Sequence, residues 1–447
     1  MSERVDAGGL RRSLSVRDLM VYGLLFIAPM APVGVFGVLD AKSHGAVASV
    51  YLAATIAMGF TAFSYAQMVR AVPQTGSVFA YARAGLGEGP GFIAGWMAML
   101  DYLLIPAVAY LFSGIALNSL VPDVSRWVWT ALAVLVTTAL NLAGVRTAAA
   151  VGLGVLALEI AVLAVFVVAA VVVLVRDGAQ RGWDTPFTAV GGFSLTAVIS
   201  AVSVAVLSYL GFDAIATFVE EAVGASAAVA RAVLWCLVLA GVLFVVQTYL
   251  AALLEPLTPQ QLAADPAAQG SAFYDTVESG IGHWLHLLVA ASKAIGAAFA
   301  ALAGQAAAGR LVFAMAREGR LPRFLAAVDP DSAVPRRALL VAAVITMGAA
   351  VWAANRDDGL DQLTSVVNVG ALTAFALLQA SVIGWYVVKH GSRDWLRHLV
   401  VPLLGIAVIG AVVYEASPTA QLAGAVWLAI GLVVLLVQGA SAVGIRR

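Results

Sequence analysis

About twelve apolar runs, each close to the length that crosses a bilayer, follow one another along this chain. A transmembrane helix needs roughly 17–25 predominantly apolar residues. None of the runs shows the alternating pattern of a membrane β-strand. The sequence therefore predicts an all-α integral membrane protein. The runs lie near residues 18–39, 45–69, 89–120, 126–144, 149–175, 194–219, 230–254, 284–316, 338–354, 362–388, 399–414 and 420–440.

The composition agrees with a membrane protein. Hydrophobic residues make up 62% of the 447 residues and charged residues 11%, and the mean hydropathy is +0.96. Because a soluble domain carries roughly 25% charged residues, a soluble fold is excluded. The formal net charge is +0 and no basic cluster occurs, so lipid and not nucleic acid is the expected partner. The single cysteine, Cys236, lies in an apolar run, so we expect no disulfide framework and no metal site.

The basic residues predict the orientation of the spans. If the N-terminus is cytoplasmic, eighteen Lys and Arg residues fall in inside segments and five in outside segments. Positive charge prefers the cytoplasmic side. We therefore expect a multi-pass protein of the plasma (inner) membrane with both termini cytoplasmic. The first run is too long for a signal peptide, and no small-residue cleavage site ends it.

The first and sixth runs carry helix breakers near their middle. In the first run, "GLLFIAPMAPVGVFG", Pro29 and Pro32 interrupt the helix, and an interior proline costs about 3 kcal/mol or more. In the sixth run, Ser208, Gly211 and Asp213 interrupt it. Non-helical backbone inside a bilayer survives only where it is buried or lines a cavity. Two interrupted spans at corresponding positions indicate an inverted repeat with a ligand site near the midplane. A simple proline kink is the alternative for the first run.

Several stretches resemble the amino acid–polyamine–organocation permeases. Residues 310–340, "RLVFAMAREGRLPRFLAAVDPDSAVPRRALL", resemble the loop after the eighth helix of that superfamily. "SYLGFDAIATFVEEA" resembles the sixth helix, and "AVPQTGSVFAYARAGLGEGPGFIAGWMAMLDYLL" the second loop and third helix. "MLDYLLIP" and "NVGALTAFALLQASVI" are most similar to the bacterial putrescine importers. The resemblance implies a LeuT-like fold of five plus five inverted helices, with helices 1 and 6 broken and two further helices at the periphery.

The resemblance also implies a function and a division of the chain. The parts are a cytoplasmic segment 1–17, an inverted-repeat transport core 18–389, and peripheral helices with a cytoplasmic C-terminus 390–447. The implied function is import of a small amine by alternating access, with a polyamine such as putrescine favoured. The alternative is a proton-coupled amino acid permease or an amino acid exchanger. No G-x-S-x-G or H-E-x-x-H motif supports an enzyme, and no filter-like repeat supports a channel. A nutrient sensor stays open.

Substrate contacts are expected around the two breaks. Members that carry amino acids have a Gly-Ser-Gly-like turn whose amides hold the carboxylate, whereas the matching positions here are Pro32, Val33 and Gly34. This departure favours a cationic substrate without a carboxylate. Freed carbonyls, intramembrane carboxylates and aromatic rings would then bind its ammonium groups. The candidate substrate-binding residues are Pro29, Met30, Ala31, Val33, Gly34, Asp101, Tyr102, Ser208, Tyr209, Gly211, Phe212 and Asp213.

Some charged residues have two interpretations. Asp213 could instead cap the second half of the sixth helix, and Asp101 could pair with another buried group. Glu220 and Glu221, with Arg310, are expected to form the cytoplasmic gate. The alternative for the two glutamates is a solvated helix end.

Glu159 stands alone in the middle of the fifth run. A lone carboxyl at low dielectric favours its neutral form unless a cation approaches. By resemblance, proton-coupled members have a lysine near this position, so Glu159 is expected to couple transport to protons. A packing role is the alternative. The eighth run lacks a Ser or Thr pair that would rebuild a sodium site, so H⁺ is the expected coupling ion and no other cofactor is expected. Lys293 either reaches the surface or pairs with a carboxylate.

Overall fold

The computed structural model of the protein describes residues 14–72, 78–142, 148–219, 222–223, 225–317, 322–327 and 335–444. Within these ranges the α-helices are α1 Val16–Ile27, α2 Phe36–Lys42, α3 Val47–Ala71, α4 Val78–Leu86, α5 Glu88–Leu120, α6 Arg126–Leu142, α7 Ala148–Asp177, α8 Thr185–Thr188, α9 Leu195–Ala205, α10 Ala225–Leu254, α11 Pro259–Ala264, α12 Pro266–Gln269, α13 Ala272–Gly280, α14 His283–Arg317, α15 Arg336–Ala354, α16 Gly359–Val382, α17 Val401–Tyr414 and α18 Pro418–Gly444. There are 3₁₀ turns at Ala31–Gly34, Val206–Tyr209, Phe212–Phe218 and Arg323–Ala326, and π-helical turns at Ile383–Lys389 and Leu396–Val400.

The helices have the length and composition of membrane spans. In the described ranges, 10 helical segments are long and apolar enough to cross a membrane, and Arg126–Leu142 and Leu195–Tyr209 are shorter apolar helices. The same ranges contain no β-strand, only an isolated bridge between Leu14 and Ala222. The predicted all-α membrane fold is confirmed. The count of twelve spans, the inverted repeat and the division at residues 17 and 389 stay predictions.

The first apolar run is broken where its prolines predict. The α1 helix begins with a capping box, in which Ser15 and Asp18 bind each other's backbone N–H. It ends at Ile27, and Ala28 adopts a φ of 60°, a region that residues with a Cβ rarely occupy. Pro29 has no N–H to continue the helical bonds. The 3₁₀ turn Ala31–Gly34 then leads into α2.

The sixth run is broken in a similar way. The α9 helix passes into the 3₁₀ turn Val206–Tyr209, and after Gly211 a second 3₁₀ turn covers Phe212–Phe218. Gly211 has a φ of 108°. A Cβ built on it would lie 2.9 Å from the Phe26 carbonyl oxygen at the first break. Glycine is therefore needed here both for backbone conformation and for the close approach of the two broken spans.

We expect Gly211→Ala to destabilise the protein by at least about 1–2 kcal/mol, because alanine is strained at this φ and its methyl group meets Phe26. The matched control is Gly154→Ala in α7, where a Cβ would have nothing within 4 Å. That change should be neutral or stabilise by up to about 1 kcal/mol. Thermal unfolding in detergent measures both. Equal melting temperatures for Gly211→Ala and the unchanged protein would contradict the described break.

Long helices enclose the two breaks. The α5 helix packs against α4, α6, α14, α15, α16 and α18. The α3 helix packs against α9, α10 and α16, and α10 also contacts α1 and the turn Phe212–Phe218. Both broken spans therefore lie within a frame of unbroken helices. At the edge, the indoles of Trp96 in α5 and Trp427 in α18 each donate to the other residue's carbonyl at 2.8 Å.

The N-terminal end of α1 is joined to the end of the sixth span. The Leu14 carbonyl accepts from the Val223 N–H at 2.8 Å. The Phe218 ring stacks on Tyr22 and Phe26 of α1, with centroids 5.4 and 6.4 Å apart. Helix α1 and the turn Phe212–Phe218 therefore form one packed unit.

Candidate functional site

Three predicted contact residues of the sixth span face neighbouring helices. The Ser208 hydroxyl lies 2.9 Å from the Tyr51 hydroxyl, and the Tyr209 hydroxyl lies 2.7 Å from Thr55 Oγ1. Phe212 is fully buried and packs against other aromatic rings. Ser208, Tyr209 and Phe212 thus hold the second break in place, and in this conformation they do not present free groups to a ligand.

The backbone carbonyls at the first break are already occupied. Gln247 Nε2 donates to the Pro29 carbonyl at 3.0 Å, and Lys293 Nζ donates to the Met30 carbonyl at 3.0 Å. Each of these carbonyls thus already binds one donor of the protein in this conformation, and their contact with an ammonium group of the substrate stays a prediction. Both partners come from distant parts of the chain, and no local pattern pairs them with the break.

Three backbone amides in and beside the turn after the break are also occupied. Ala31 N–H donates to the Ala28 carbonyl at 2.9 Å, Val33 N–H to Met30 at 3.2 Å, and Val35 N–H to Pro32 at 3.1 Å. Pro32 has no N–H. Gly34 lies so close to Phe112 that a Cβ there would be 2.5 Å from the ring. This turn is therefore poor in donors for an anionic group.

Asp213 lies at the second break, beside several donors. The backbone N–H groups of Gly211, Asp213 and Ala214 lie near its carboxyl group, although the Ala214 N–H donates to the Gly211 carbonyl at 3.1 Å. The Tyr65 hydroxyl donates to Asp213 Oδ2 at 3.4 Å. The role of Asp213 as a cap on the second half of the span stays a prediction.

Asp101 and Tyr102 of α5 lie beside Asp213. The Asp101 and Asp213 carboxylates are close enough to interact electrostatically, and both act on Tyr102. Asp101 Oδ1 is buried and has no hydrogen-bond partner among the described residues, so the pairing interpretation finds no support at this atom. Tyr102 is 38% exposed although it lies beside these carboxylates.

Glu159 is not alone, which corrects the sequence-based expectation. Glu159 and Lys293 are 2% and 3% exposed and interact electrostatically. The Glu159 carboxylate faces the Met30 N–H, while Lys293 binds the Met30 carbonyl and lies 5.0 Å above the Phe112 ring centroid. Lys293 is therefore buried within electrostatic range of the Glu159 carboxylate, without a direct ion pair between the two side chains, and it does not reach the surface. The backbone of Met30 lies between the two charged groups.

The predicted gate residues are not placed by the structure. Glu220 and Glu221 lie outside the described residues, and so does the side chain of Arg310, although its backbone belongs to α14. The cytoplasmic gate therefore stays a prediction.

Sequence reasoning missed a buried ion cluster formed by Asp40, Arg181 and Glu255. Arg181 donates to both carboxylate oxygens of Asp40, at 2.7 and 2.8 Å, and the two side chains are 8% and 0% exposed. Glu255 accepts from Thr276 Oγ1 and from the Leu257 N–H. Burial raises the pKa of Glu255, and these hydrogen bonds oppose the rise. The sequence signals are an aspartate directly after the first apolar run and a glutamate directly after the seventh.

Two interrupted apolar spans that meet around buried charged groups are typical of membrane transporters, and this is the class that the fold and the site define. The chain belongs to the amino acid permease family, whose model matches residues 19–443. The resemblance to the amino acid–polyamine–organocation superfamily is thus confirmed. The protein is a multi-pass membrane transporter of that superfamily.

The relatives are transporters of different solutes. The chain is similar to the low-affinity putrescine importer PlaP of Escherichia coli (strain K12), at 29% identity over 434 residues, 95% of this chain and 93% of the relative. It is 25% identical over 458 residues to the methylthioribose transporter of Bacillus subtilis (strain 168), 97% of this chain and 95% of the relative. It is 25% identical over 457 residues to the branched-chain amino acid permease BcaP of the same organism, 95% of this chain and 92% of the relative. These relatives confirm the expectation that the protein is not an enzyme.

Proposed function

We propose that this protein is a secondary active transporter that imports a small organic amine, a polyamine such as putrescine, by alternating access. The observation that carries this proposal is the donor-poor turn at the first break. The Val33 and Val35 amides are bonded to backbone carbonyls, and Pro32 has no N–H. A substrate carboxylate needs such donors. An ammonium group needs acceptors, and Asp101 Oδ1 is a buried acceptor without a partner.

We also propose that the protein lies in the inner membrane, with both termini in the cytoplasm. The distribution of basic residues supports it. The first span then runs outward, so the Asp40–Arg181 pair lies on the outer side. Phe26, before the first break, is 41% exposed, while Asp40 is fully buried. These exposures support an inward-facing conformation, closed outside by the ion cluster of Asp40, Arg181 and Glu255.

We expect putrescine to compete for uptake at least about tenfold better than ornithine, a difference of about 1.4 kcal/mol. Ornithine has a similar carbon chain and two amino groups but adds a carboxylate, for which the turn Ala31–Gly34 offers few donors. Competition is measured with labelled putrescine in proteoliposomes, with leucine as the neutral amino acid control. Tighter binding of ornithine or leucine would assign the protein to amino acid transport instead.

We further propose that import is coupled to protons through Glu159. The carboxyl is buried inside α7, and its Oε1 has no hydrogen-bond partner among the described residues. It faces the Met30 N–H at the first break. Loss or gain of a proton at Glu159 would therefore act on the broken span that moves during alternating access.

A further inference from the structure

We propose that Asp101 and Asp213 form a two-charge site for a dicationic amine, in which Asp213 is a fixed charge held by the protein and Asp101 binds an ammonium group of the ligand. This inference rests on the proposed transport of amines and names the class of amine. The ligand class is an aliphatic diamine with two ammonium groups. The two carboxylates differ in how the protein satisfies them, and that difference assigns their roles.

Asp213 has hydrogen-bond donors of the protein around it. The Tyr65 hydroxyl donates to its Oδ2 at 3.4 Å, and the backbone N–H groups of Gly211, Asp213 and Ala214 lie near its carboxyl group. Donors that bind a carboxyl group favour its charged form. Asp213 is therefore the carboxylate whose charge the protein itself supports.

Asp101 differs from Asp213 because one of its carboxylate oxygens can still accept a hydrogen bond. Its Oδ1 is buried, yet no described residue hydrogen-bonds to it. Buried polar atoms in native proteins nearly always have a partner, so an exception asks for an explanation. A ligand ammonium group supplies the missing donor.

The charge balance around the two carboxylates calls for a cation. None of the ion pairs described for the chain includes Asp101 or Asp213. The buried ammonium of Lys293 is engaged at Met30 and Glu159. Two neighbouring carboxylates in a low-dielectric interior repel each other. A ligand with two positive charges removes this repulsion more completely than a ligand with one.

Tyr102 completes the site. It follows Asp101 in α5, and its side chain is 38% exposed. An ammonium group within about 6 Å of an aromatic ring is attracted to the ring face. Asp101 and Tyr102 together therefore offer a carboxylate and an aromatic surface to the same ammonium group.

The test compares putrescine with 1-aminobutane, which has the same four-carbon chain and one ammonium group. Binding is measured by competition against labelled putrescine and by thermal shift of the full-length protein in detergent. We expect the unchanged protein to prefer putrescine by about 10- to 100-fold, the range of a hydrogen bond to a charged group. In Asp101→Asn this preference should fall to within about threefold, because Asn keeps the shape but loses the charge. The matched control Asp123→Asn, at an exposed aspartate after α5, should keep the full preference.

Each outcome separates the inference from the proposed function. If the unchanged protein binds both amines equally, the two-charge site is wrong while amine transport stands. If Asp101→Asn keeps the preference, the assignment of Asp101 is wrong. If neither amine binds but an amino acid does, the proposed function itself fails. Should Asp101→Asn fail to fold, Asp101→Glu takes its place: it keeps the carboxylate and should still prefer putrescine, and equal binding of both amines by that folded variant would contradict the assignment of Asp101.

Discussion

Glu159→Gln is expected to abolish accumulation driven by an imposed pH gradient, while exchange between two substrate pools continues. Glutamine keeps the shape and most of the hydrogen-bonding capacity of the side chain but cannot ionise. Exchange needs only the conformational cycle, whereas accumulation needs a proton that is carried inward and released. The measurement is substrate-linked alkalinisation of the outside medium in proteoliposomes, with the variant beside the unchanged protein.

The contacts of Glu159 explain how its protonation can affect transport. Glu159 faces the Met30 N–H and Lys293 binds the Met30 carbonyl, so the two charged groups act on the same residue of the broken first span. If protonation of Glu159 differs between the outward- and inward-facing states, proton binding and substrate binding shift the same equilibrium. Their coupling is then reciprocal.

The Glu159→Gln experiment needs an additional control because Lys293 is buried near Glu159. Glu159→Gln leaves Lys293 without its counter-charge, which can cost about 3 kcal/mol or more. The double variant Glu159→Gln with Lys293→Met removes both charges and should recover much of that stability. Loss of proton movement in both variants, with exchange preserved in at least one, supports coupling at Glu159. Proton movement that persists in the single variant would make Glu159 a packing residue and Asp101 or Asp213 the next candidate.

Arg181→Met is expected to destabilise the protein by about 3–5 kcal/mol and to open its outer side. The change leaves the carboxylate of Asp40, which is fully buried, without its bidentate partner, and an unpaired buried charge is costly. Melting temperature in detergent measures the first effect. The second is measured with an impermeant thiol reagent. In a Cys236→Ala background the chain holds no other cysteine, and Val38→Cys in the buried face of α2 reports access from outside.

Two further variants are compared with Arg181→Met to separate loss of stability from opening of the outer side. Asp40→Leu with Arg181→Met removes both charges and should restore the melting temperature while labelling at position 38 stays high. Lys42→Met breaks the more exposed Lys42–Asp361 pair, with its 3.0 Å separation, and should cost less than about 1 kcal/mol. If Arg181→Met behaves like Lys42→Met, the buried pair does not close the outer side.

The helices and their interruptions were predictable because their causes are local. A run of about 20 apolar residues has few alternatives to a membrane helix. Pro29 and Gly211 disturb the helix at their own positions, through a missing N–H and a left-handed φ. The short helices of the segment after α10, such as α11 and α13, were not predicted, because they carry no long periodic pattern.

The partners within the site could not be read from the sequence. Nothing nearby in the chain binds the Pro29 and Met30 carbonyls, whereas Gln247 and Lys293 reach them from α10 and α14. For the same reason the sequence predicts that Glu159 is alone. The sequence also predicts that Ser208 and Tyr209 contact a ligand, but their hydroxyl groups bind Tyr51 and Thr55 of α3. Residue types near a break indicate a site, but only the packing of distant helices decides which of their groups are free.

The hydrogen bond between Leu14 and Val223 bears on whether solute or protons can leak through the transporter. In the proposed orientation, the beginning of α1 and the end of the sixth span lie on the cytoplasmic side. The Phe218 ring stacks on α1 and the Leu14 carbonyl accepts from the Val223 N–H, so these two segments are joined. If they moved independently, one could open without the other and leave a partly open exit that leaks solute or protons. Because they are joined, we expect them to move together, so that the exit is either closed or fully open.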